Sequence, residues 1–357
     1  MWKQQQMKRY SRWIPRLASG AAAIVLVTLL SALAYHMTAP LVTVDHAPAS
    51  YSARAGAFGA HVTGRVRMGT TALRYRIGDG EWRPLEPRPP RVTLPEFTLE
   101  MLADELVAGH NRVELEAHGW LGVKESRSFA FDYDPAPPAL PLVVDWADVA
   151  ELDVQDGFFE HVPGHPDRVR PVPGHEGWDR IIAASGAFEG GRRVSLDLVF
   201  RKPMEGRRSW GFGLFPLWGG QPDPDDRRAR AGWRFSLLWY FNLTGGFGCS
   251  FSEKQGDGSA QFIATYRNID LETDRTYRLL TETVPVLDGD GRHLAWRQRC
   301  KWWPADEPEP EVWTEAIDEM GAPLPPLAYG VALVAFRSQV EFGAVRIEPM
   351  DSEIRVD

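Results

Sequence analysis

The sequence predicts an all-β protein of two sandwich units behind an apolar N-terminal segment. Three observations predict it. Beyond about residue 44, apolar residues recur with period two over strand lengths, as in Val194, Leu196, Leu198 and Phe200. That spacing turns one side of a strand into a core. The stretches are joined by tight turns such as Gly78-Asp79-Gly80 and Asp288-Gly289-Asp290-Gly291, with no long amphipathic helix between them. A proline-dense run, Asp134 to Pro141, divides the chain.

Composition bounds the reading. A chain of 357 residues has room for two domains plus short extras, and 44% hydrophobic with 25% charged residues suits a real core. A net charge of −8 argues against broad nucleic-acid binding, which needs a basic surface to release counterions. The 14 tryptophans are mostly placed after residue 145. Core packing is the first reading of each, although their flat apolar faces also suit sugar rings.

Residues 1–16 carry Lys3, Lys8, Arg9, Arg12 and Arg16 and no acid, and Leu17 to Tyr35 is uncharged and apolar. A run of about 19 such residues is just long enough to span a bilayer, with the basic flank cytoplasmic. Residues 17–37 are therefore expected to be a transmembrane helix, or a signal peptide cleaved near Ala32-Leu33-Ala34. Either way the remainder lies outside the cytoplasm: anchored to the cell membrane by a single pass, or secreted or periplasmic.

Residues 44–135 form the first unit. Strands are expected over Ala60–Met68, Ala72–Ile77, Glu81–Leu85, Phe97–Met101, Arg112–Ala117 and Val123–Tyr133. Their length and spacing suggest an immunoglobulin-like sandwich. The wording LRYRIGDGEWRPL, followed by FTLEMLADELVAGHNRVELEAHG, resembles bacterial Ig-like or fibronectin-type repeats. No catalytic constellation is visible; Glu114 and Glu116 read as solvated carboxylates on one strand face. The unit reads as a spacer or docking domain, and residues 136–141 as a stiff linker.

Residues 142–350 form the second unit. Alternation predicts strands over Arg193–Phe200, Trp233–Leu243, Phe247–Ser252, Ala260–Asn268, Tyr277–Val286, Gly291–Trp302, Val331–Phe336 and Phe342–Glu348, with Gly211–Leu217 an apolar strand. So many strands on tight turns make a two-sheet jelly roll. Trp303-Pro304, with Glu309-Pro310 and Trp313 after it, then Phe342-Gly343-Ala344-Val345-Arg346-Ile347, resembles the closing strands of the concanavalin A-like (laminin G-like) family. Asp270 to Leu279 is similar to that family's earlier strand start, with Thr276 where a Trp is usual. The resemblance covers roughly the last ninety residues. It implies a concanavalin A-like jelly roll, a fold that mostly handles carbohydrate outside the cytoplasm.

Cys249 and Cys300 fall in strand-like segments of this unit. They are either two core thiols or a bridge between adjacent strands; two cysteines alone do not make a zinc site.

Site candidates come from strand faces. Arg234, Ser236, Leu238, Tyr240 and Asn242 share one face. Arg267 shares another with Gln261 and Thr265, and Arg297, Arg299, Lys301 and Trp303 share a third. Polar and aromatic residues interleaved on a sheet make a sugar platform, with Arg supplying forked donors. The expected carbohydrate contacts are Arg234, Tyr240, Asn242, Arg267, Arg299 and Trp303. Glu151-Leu152-Asp153-Val154-Gln155-Asp156 is the nearest string to the E-x-D-x-x-E of glucanases of this fold, and it ends on Asp. Glu315, Asp318 and Glu319 read as surface acids. His161, His165 and His175 with Glu176 lack metal-site spacing. Asp288 and Asp290 can hold calcium or simply make a hairpin turn. No other cofactor is expected. The loop Gln221 to Arg230 reads as a charged surface loop or the border of a groove.

These features favour a membrane-anchored, extracytoplasmic protein that binds a glycan or cell-envelope polysaccharide. A glycoside hydrolase or lyase on the same fold is the second reading. An envelope scaffold using both sandwiches for protein contacts is the third.

Overall fold

The computed structural model describes residues 26–28, 38–54, 57–85, 96–175, 179–220, 234–254, 260–318, 328–350 and 353–355. Among these residues no helix is long and apolar enough to cross a membrane. The expected span, residues 17–37, lies almost wholly outside them, as does the loop Gln221 to Arg230.

The first unit runs β1 (Val42–His46), β2 (Ser50–Tyr51), β3 (Phe58–Val66), β4 (Thr70–Ile77), β5 (Arg83–Pro84), β6 (Glu96–Leu102), β7 (Gly109–Gly119) and β8 (Lys124–Tyr133). Two sheets, β1-β3-β6 and β2-β8-β7-β4-β5, close on one core. Strand β2 lies parallel to β8. Alternation explains β7: Val113, Leu115 and Ala117 are fully buried, and Glu114 and Glu116 face the other way. Those two acids are not merely solvated. They receive the guanidinium groups of Arg76 and Arg74 from β4, and both arginines stack on Trp82.

The second unit runs β9 (Leu142–Val144), β10 (Asp153–Asp156), β11 (Phe159–Val162), β12 (His165–Pro171), β13 (Asp179–Ala183), β14 (Gly191–Pro203), β15 (Gly211–Trp218) and β16 (Arg234–Phe241). It continues through β17 (Gly246–Lys254), β18 (Ala260–Asn268), β19 (Thr276–Leu287), β20 (His293–Pro304), β21 (Thr314–Asp318), β22 (Gly330–Phe336), β23 (Ser338–Met350) and β24 (Ile354–Arg355). A seven-stranded sheet has the order β10-β13-β22-β15-β16-β17-β18. A nine-stranded sheet has the order β11-β12-β23-β14-β19-β20-β21, with β9 beside β23 and β24 beside β19. The late strands fold back between early ones: β22 enters between β13 and β15, and β23 between β12 and β14. This is a two-sheet jelly roll, as the alternation over residues 142–350 predicts.

Between the sheets lies the core, built from Leu196, Phe212, Phe247, Tyr277, Trp296, Phe342 and their neighbours. Each such side chain removed from water contributes about 1.5–3 kcal/mol. The two cysteines are joined, so the alternative of free core thiols is set aside. Cys249 on β17 and Cys300 on β20 form a disulfide across the two sheets, with Cα atoms 6.4 Å apart.

The outward side of the seven-stranded sheet is apolar as well, with Phe215, Trp218, Leu237 and Val334 forming a second cluster. Trp239 lies there against Gly213, where an added Cβ would sit 2.4 Å from the Trp239 Cβ. A side chain at Gly213 would also meet the Leu238 carbonyl oxygen at 2.3 Å, so no larger residue fits there without parting the strand backbones.

The units pack directly on one another rather than standing apart on an extended linker. His46 uses both ring nitrogens across the seam: Nδ1 meets the Val149 carbonyl at 3.0 Å, and Nε2 accepts from the Phe159 amide at 3.2 Å. Arg180, 2% exposed, bridges Asp156 of its own unit at 3.1 Å and Glu96 of the other at 3.3 Å. Arg54 pairs with Asp153. Just past the proline-rich run, Trp146 Nε1 donates to the Gly343 carbonyl at 2.7 Å, which pins the start of the second unit to β23.

Candidate functional site

The nine-stranded sheet presents its second face to solvent. On β20 the even-numbered Trp296, Gln298, Cys300 and Trp302 point into the sandwich, so Arg297, Arg299, Lys301 and Trp303 point out. The register fixes their neighbours: Trp303 stands opposite Arg278, and Arg299 opposite Glu282. On the next strand, Asp197 stands opposite Arg278 and Arg193 opposite Glu282. Two rows of polar side chains result.

One row is structural. Glu282 is 1% exposed and holds both Arg193 and Arg299 by charge-assisted hydrogen bonds. Such an acid is retained in a buried place because two guanidinium groups replace its lost water.

The other row borders a groove of about 390 Å³. Trp303, 9% exposed, lines it, and Ser195, Asp197, Arg278, Glu309 and Arg346 supply polar atoms around it. Arg278 and Arg346 are exposed. Arg278 Nε lies 3.5 Å from Asp197, and Lys301 Nζ reaches Glu309 at 2.6 Å. Beside the groove, the Trp313 ring lies 4.5 Å from both the Arg299 guanidinium and the Lys301 ammonium. Arg267 Nη2 donates to the Trp313 carbonyl at 2.8 Å.

The structure thus brings Arg267, Arg299 and Trp303 to one region, with Trp313 as the hub the sequence reading passed over. It takes the others away. Tyr240 packs in the core, 5.3 Å from Trp210 and 5.7 Å from Phe212, and burial raises its phenol pKa. The face assigned to it is the inner face of the sheet, so Tyr240 is corrected to a core residue. Asn242 is corrected to a turn-holder: its Oδ1 accepts from the Trp210 amide at 2.7 Å and its Nδ2 donates to the Arg208 carbonyl at 2.8 Å. Arg234 opens β16 opposite Glu253; its side chain lies outside the described residues. Ser195, Asp197, Arg278, Glu309 and Arg346 were missed. Strand parity places Ser195, Asp197, Arg278 and Arg346 on outward faces, and Glu309 lies in the turn between β20 and β21, but only the register shows that they meet.

The other candidates resolve into structure. The acidic string at 151–156 serves the seam: Glu151 accepts from the Ala49 amide, Asp153 pairs with Arg54 and Asp156 with Arg180. Burial raises the Asp153 pKa, and Arg54 offsets part of that. His161 meets the Trp146 carbonyl at 2.7 Å, while His175 lies 3.4 Å from Glu96. Among the described residues no group of three His, Cys, Asp or Glu side chains is placed to hold a metal; Glu176 lies outside them. Asp288 makes the hairpin turn, accepting from the Asp290 and Arg292 amides at 3.0 and 2.8 Å. Glu315 is exposed on β21, and the side chains of Asp318 and Glu319 lie outside the described residues.

No protein-family model matches the chain, and no curated protein matches its sequence. Solved structures are similar to it at low identity. A legume lectin-like domain from Entamoeba histolytica matches at 10% identity over 56% of this chain and 90% of that one, with a TM-score of 0.38. Alginate lyase vAL-1 from Chlorella virus matches at 10% identity over 50% and 78%, with a TM-score of 0.32. A putative β-glucanase from Mycobacterium abscessus matches at 12% identity over 51% and 75%, with a TM-score of 0.28. At these scores the matches say nothing about chemistry, and the fold rests on the strand order itself.

Proposed function

We propose that this protein is a membrane-anchored, extracytoplasmic glycan-binding protein, with the nine-stranded face of its jelly roll as the recognition surface. The groove lined by Trp303 carries the proposal. It sets an indole beside forked guanidinium donors, a hydroxyl and two carboxylates, the mixture that grips sugar C–H faces and hydroxyl groups together. Residues 17–37, read as the anchor, hold the rest outside the cytoplasm. The Cys249–Cys300 bridge supports an oxidising compartment, because disulfides persist there. The sheet orders β1-β3-β6 and β2-β8-β7-β4-β5 support the immunoglobulin-like reading of the first unit. Its salt-bridged seam suits a docking module that fixes the jelly roll's orientation.

Asp197 and Glu309 in one groove are the feature that favours the second reading, a glycoside hydrolase or lyase, since such chemistry uses paired carboxylates. One experiment separates the two. The purified full chain is screened on a glycan array, and the best ligands are incubated with it and analysed for cleavage. Binding without cleavage is expected. Because Arg278 is exposed, Arg278→Ala should leave the thermal midpoint unchanged and weaken binding about tenfold, or about 1.4 kcal/mol. Cleavage of a bound glycan sinks the binding-only reading, and no glycan signal in either assay moves the protein to the scaffold class.

A further inference from the structure

Two exposed apolar side chains lie together on turns at one end of the first unit. Met68 is 65% exposed and Trp120 is 62% exposed. They sit on adjoining turns, since the Trp120 amide donates to the Gly69 carbonyl at 3.1 Å. In a protein of net charge −8, residues 66–71 and 118–124 contain no acid, and they carry Arg67, His118 and Lys124. Two carboxylates that flank them in sequence are engaged: Glu116 with Arg74 and His118, and Glu125 with the Leu41 amide and Arg127.

The chain enters the unit at this end. Arg67 Nη1 donates to the Ala39 carbonyl at 2.6 Å, and the Arg67 amide donates to the Leu41 carbonyl at 2.9 Å. Leu41 packs on Gly119 so closely that an added Cβ would sit 2.8 Å from its Cδ2. Residues 39–41 are therefore clamped against both turns, and the apolar segment 17–37 ends only a residue or two earlier. A bilayer holding that segment has its surface within a few residues' reach of Met68 and Trp120.

We propose that this end of the first unit is a membrane-contact tip, with Met68 and Trp120 seated in the headgroup region of the bilayer that holds residues 17–37. The contact rests on reading that segment as the anchor. Tryptophan partitions to the membrane interface, where its ring sits among headgroups and its N–H stays wet. Lys124, the exposed cation of these turns, suits an anionic leaflet. Two side chains alone bind membranes weakly, but beside an anchor the contact is intramolecular and its effective concentration is high. With the tip seated, and with the two units locked at their seam, the groove at Trp303 is held in one orientation above the membrane.

The test uses the full chain in nanodiscs of phosphatidylcholine and phosphatidylglycerol, one copy per disc, with a polarity-sensitive dye on Met68→Cys. The native cysteines are paired and buried, so they stay out of the labelling. Asp79→Cys is the control, because it lies beyond the far end of β4, about 25 Å from the tip. A blue shift and quenching by lipid-borne quenchers at position 68, absent at position 79, is expected. A chain retained after alkaline carbonate washing of its membranes, with a label at 68 as wet as that at 79, overturns the tip contact and leaves the anchor standing. A chain released by the wash sinks the anchor reading and the proposal with it. A blue shift that needs two copies per disc is a contact between copies and also overturns the proposal.

Discussion

Arg192 is the most exacting single residue of the jelly roll. It is fully buried, and its guanidinium meets carbonyl groups: Tyr329 at 2.6 Å, Phe188 at 3.0 Å and Gly190 at 3.0 Å. Its charge also lies 4.1 Å from the Phe188 ring. Burial pulls its pKa down to about 9, so it remains charged at neutral pH. Two effects oppose in Arg192→Met. The cost of burying a charge vanishes, but three carbonyls lose their donors and the bridge between Phe188 and Tyr329 loses its brace. Charged hydrogen bonds of this kind contribute about 1.5–3 kcal/mol each, and unmet carbonyls cost more than the relief returns. A net loss of about 1–3 kcal/mol in urea unfolding is expected, and Arg192→Lys should not restore it, because an ammonium cannot fork to three acceptors. The parity of β14 already places Arg192 beside Val194 and Leu196 on the core side. What the sequence does not show is that three carbonyls converge there, since two of them come from the segment joining β13 to β14 and one from residue 329. The same gap explains Tyr240. Its alternation was read correctly, but a run large on both faces does not say which face is inside.

At the scale of strands, the disulfide decides how the two sheets hold together. Cys249 follows the parity of Phe247 and Phe251, and Cys300 that of Trp296 and Trp302, so both were legibly inward. Their pairing was not, because packed sheets lie about 10 Å apart, too far for most facing residues to bridge. The sheets converge at this edge, where β21 of one approaches β17 and β18 of the other, and Thr314 sets its carbonyl 3.5 Å from the Cys249 sulfur. The bridge closes a loop of sequence separation 51. The chain-entropy estimate for such a loop is about 4 kcal/mol. Cys249→Ser with Cys300→Ser should therefore lower the thermal midpoint by roughly 8–16 °C, read by circular dichroism. A shift of only a degree or two would mean that the sheets are held by apolar packing alone. Most strands were legible because period-two alternation is strong in a sandwich whose inner faces are apolar. Register was not, and the groove at Trp303 exists only through register.

At the scale of the whole chain, the seam between the units carries a pH dependence. The neutral ring of His46 is needed, since its Nε2 accepts from Phe159 and its Nδ1 meets the Val149 carbonyl. Burial lowers its pKa, with Arg65 pushing the same way and the Val149 carbonyl and Asp45 partly opposing. The unfolded chain titrates near 6.5. Between the lowered folded value and about 6.5 the unfolded state binds more protons, so stability rises with pH across that window. It is fully present above about 6.5 and is lost as pH falls toward the folded value. His293, also lowered by burial, adds a slope of the same sign. Asp153 acts in the opposite sense: its raised pKa means the native state holds an extra proton above the ordinary carboxylate value, so stability falls as pH rises through that lower window. Subtraction isolates His46. His46→Gln should lose about 1–3 kcal/mol at pH 7.5, from the two seam hydrogen bonds, and lose less than the native chain between pH 7 and 5. The difference between the two unfolding curves should therefore narrow as pH falls, because His293 and Asp153 contribute equally to both. If the difference stays constant across that range, His46 is not the residue that makes the seam sensitive to acid.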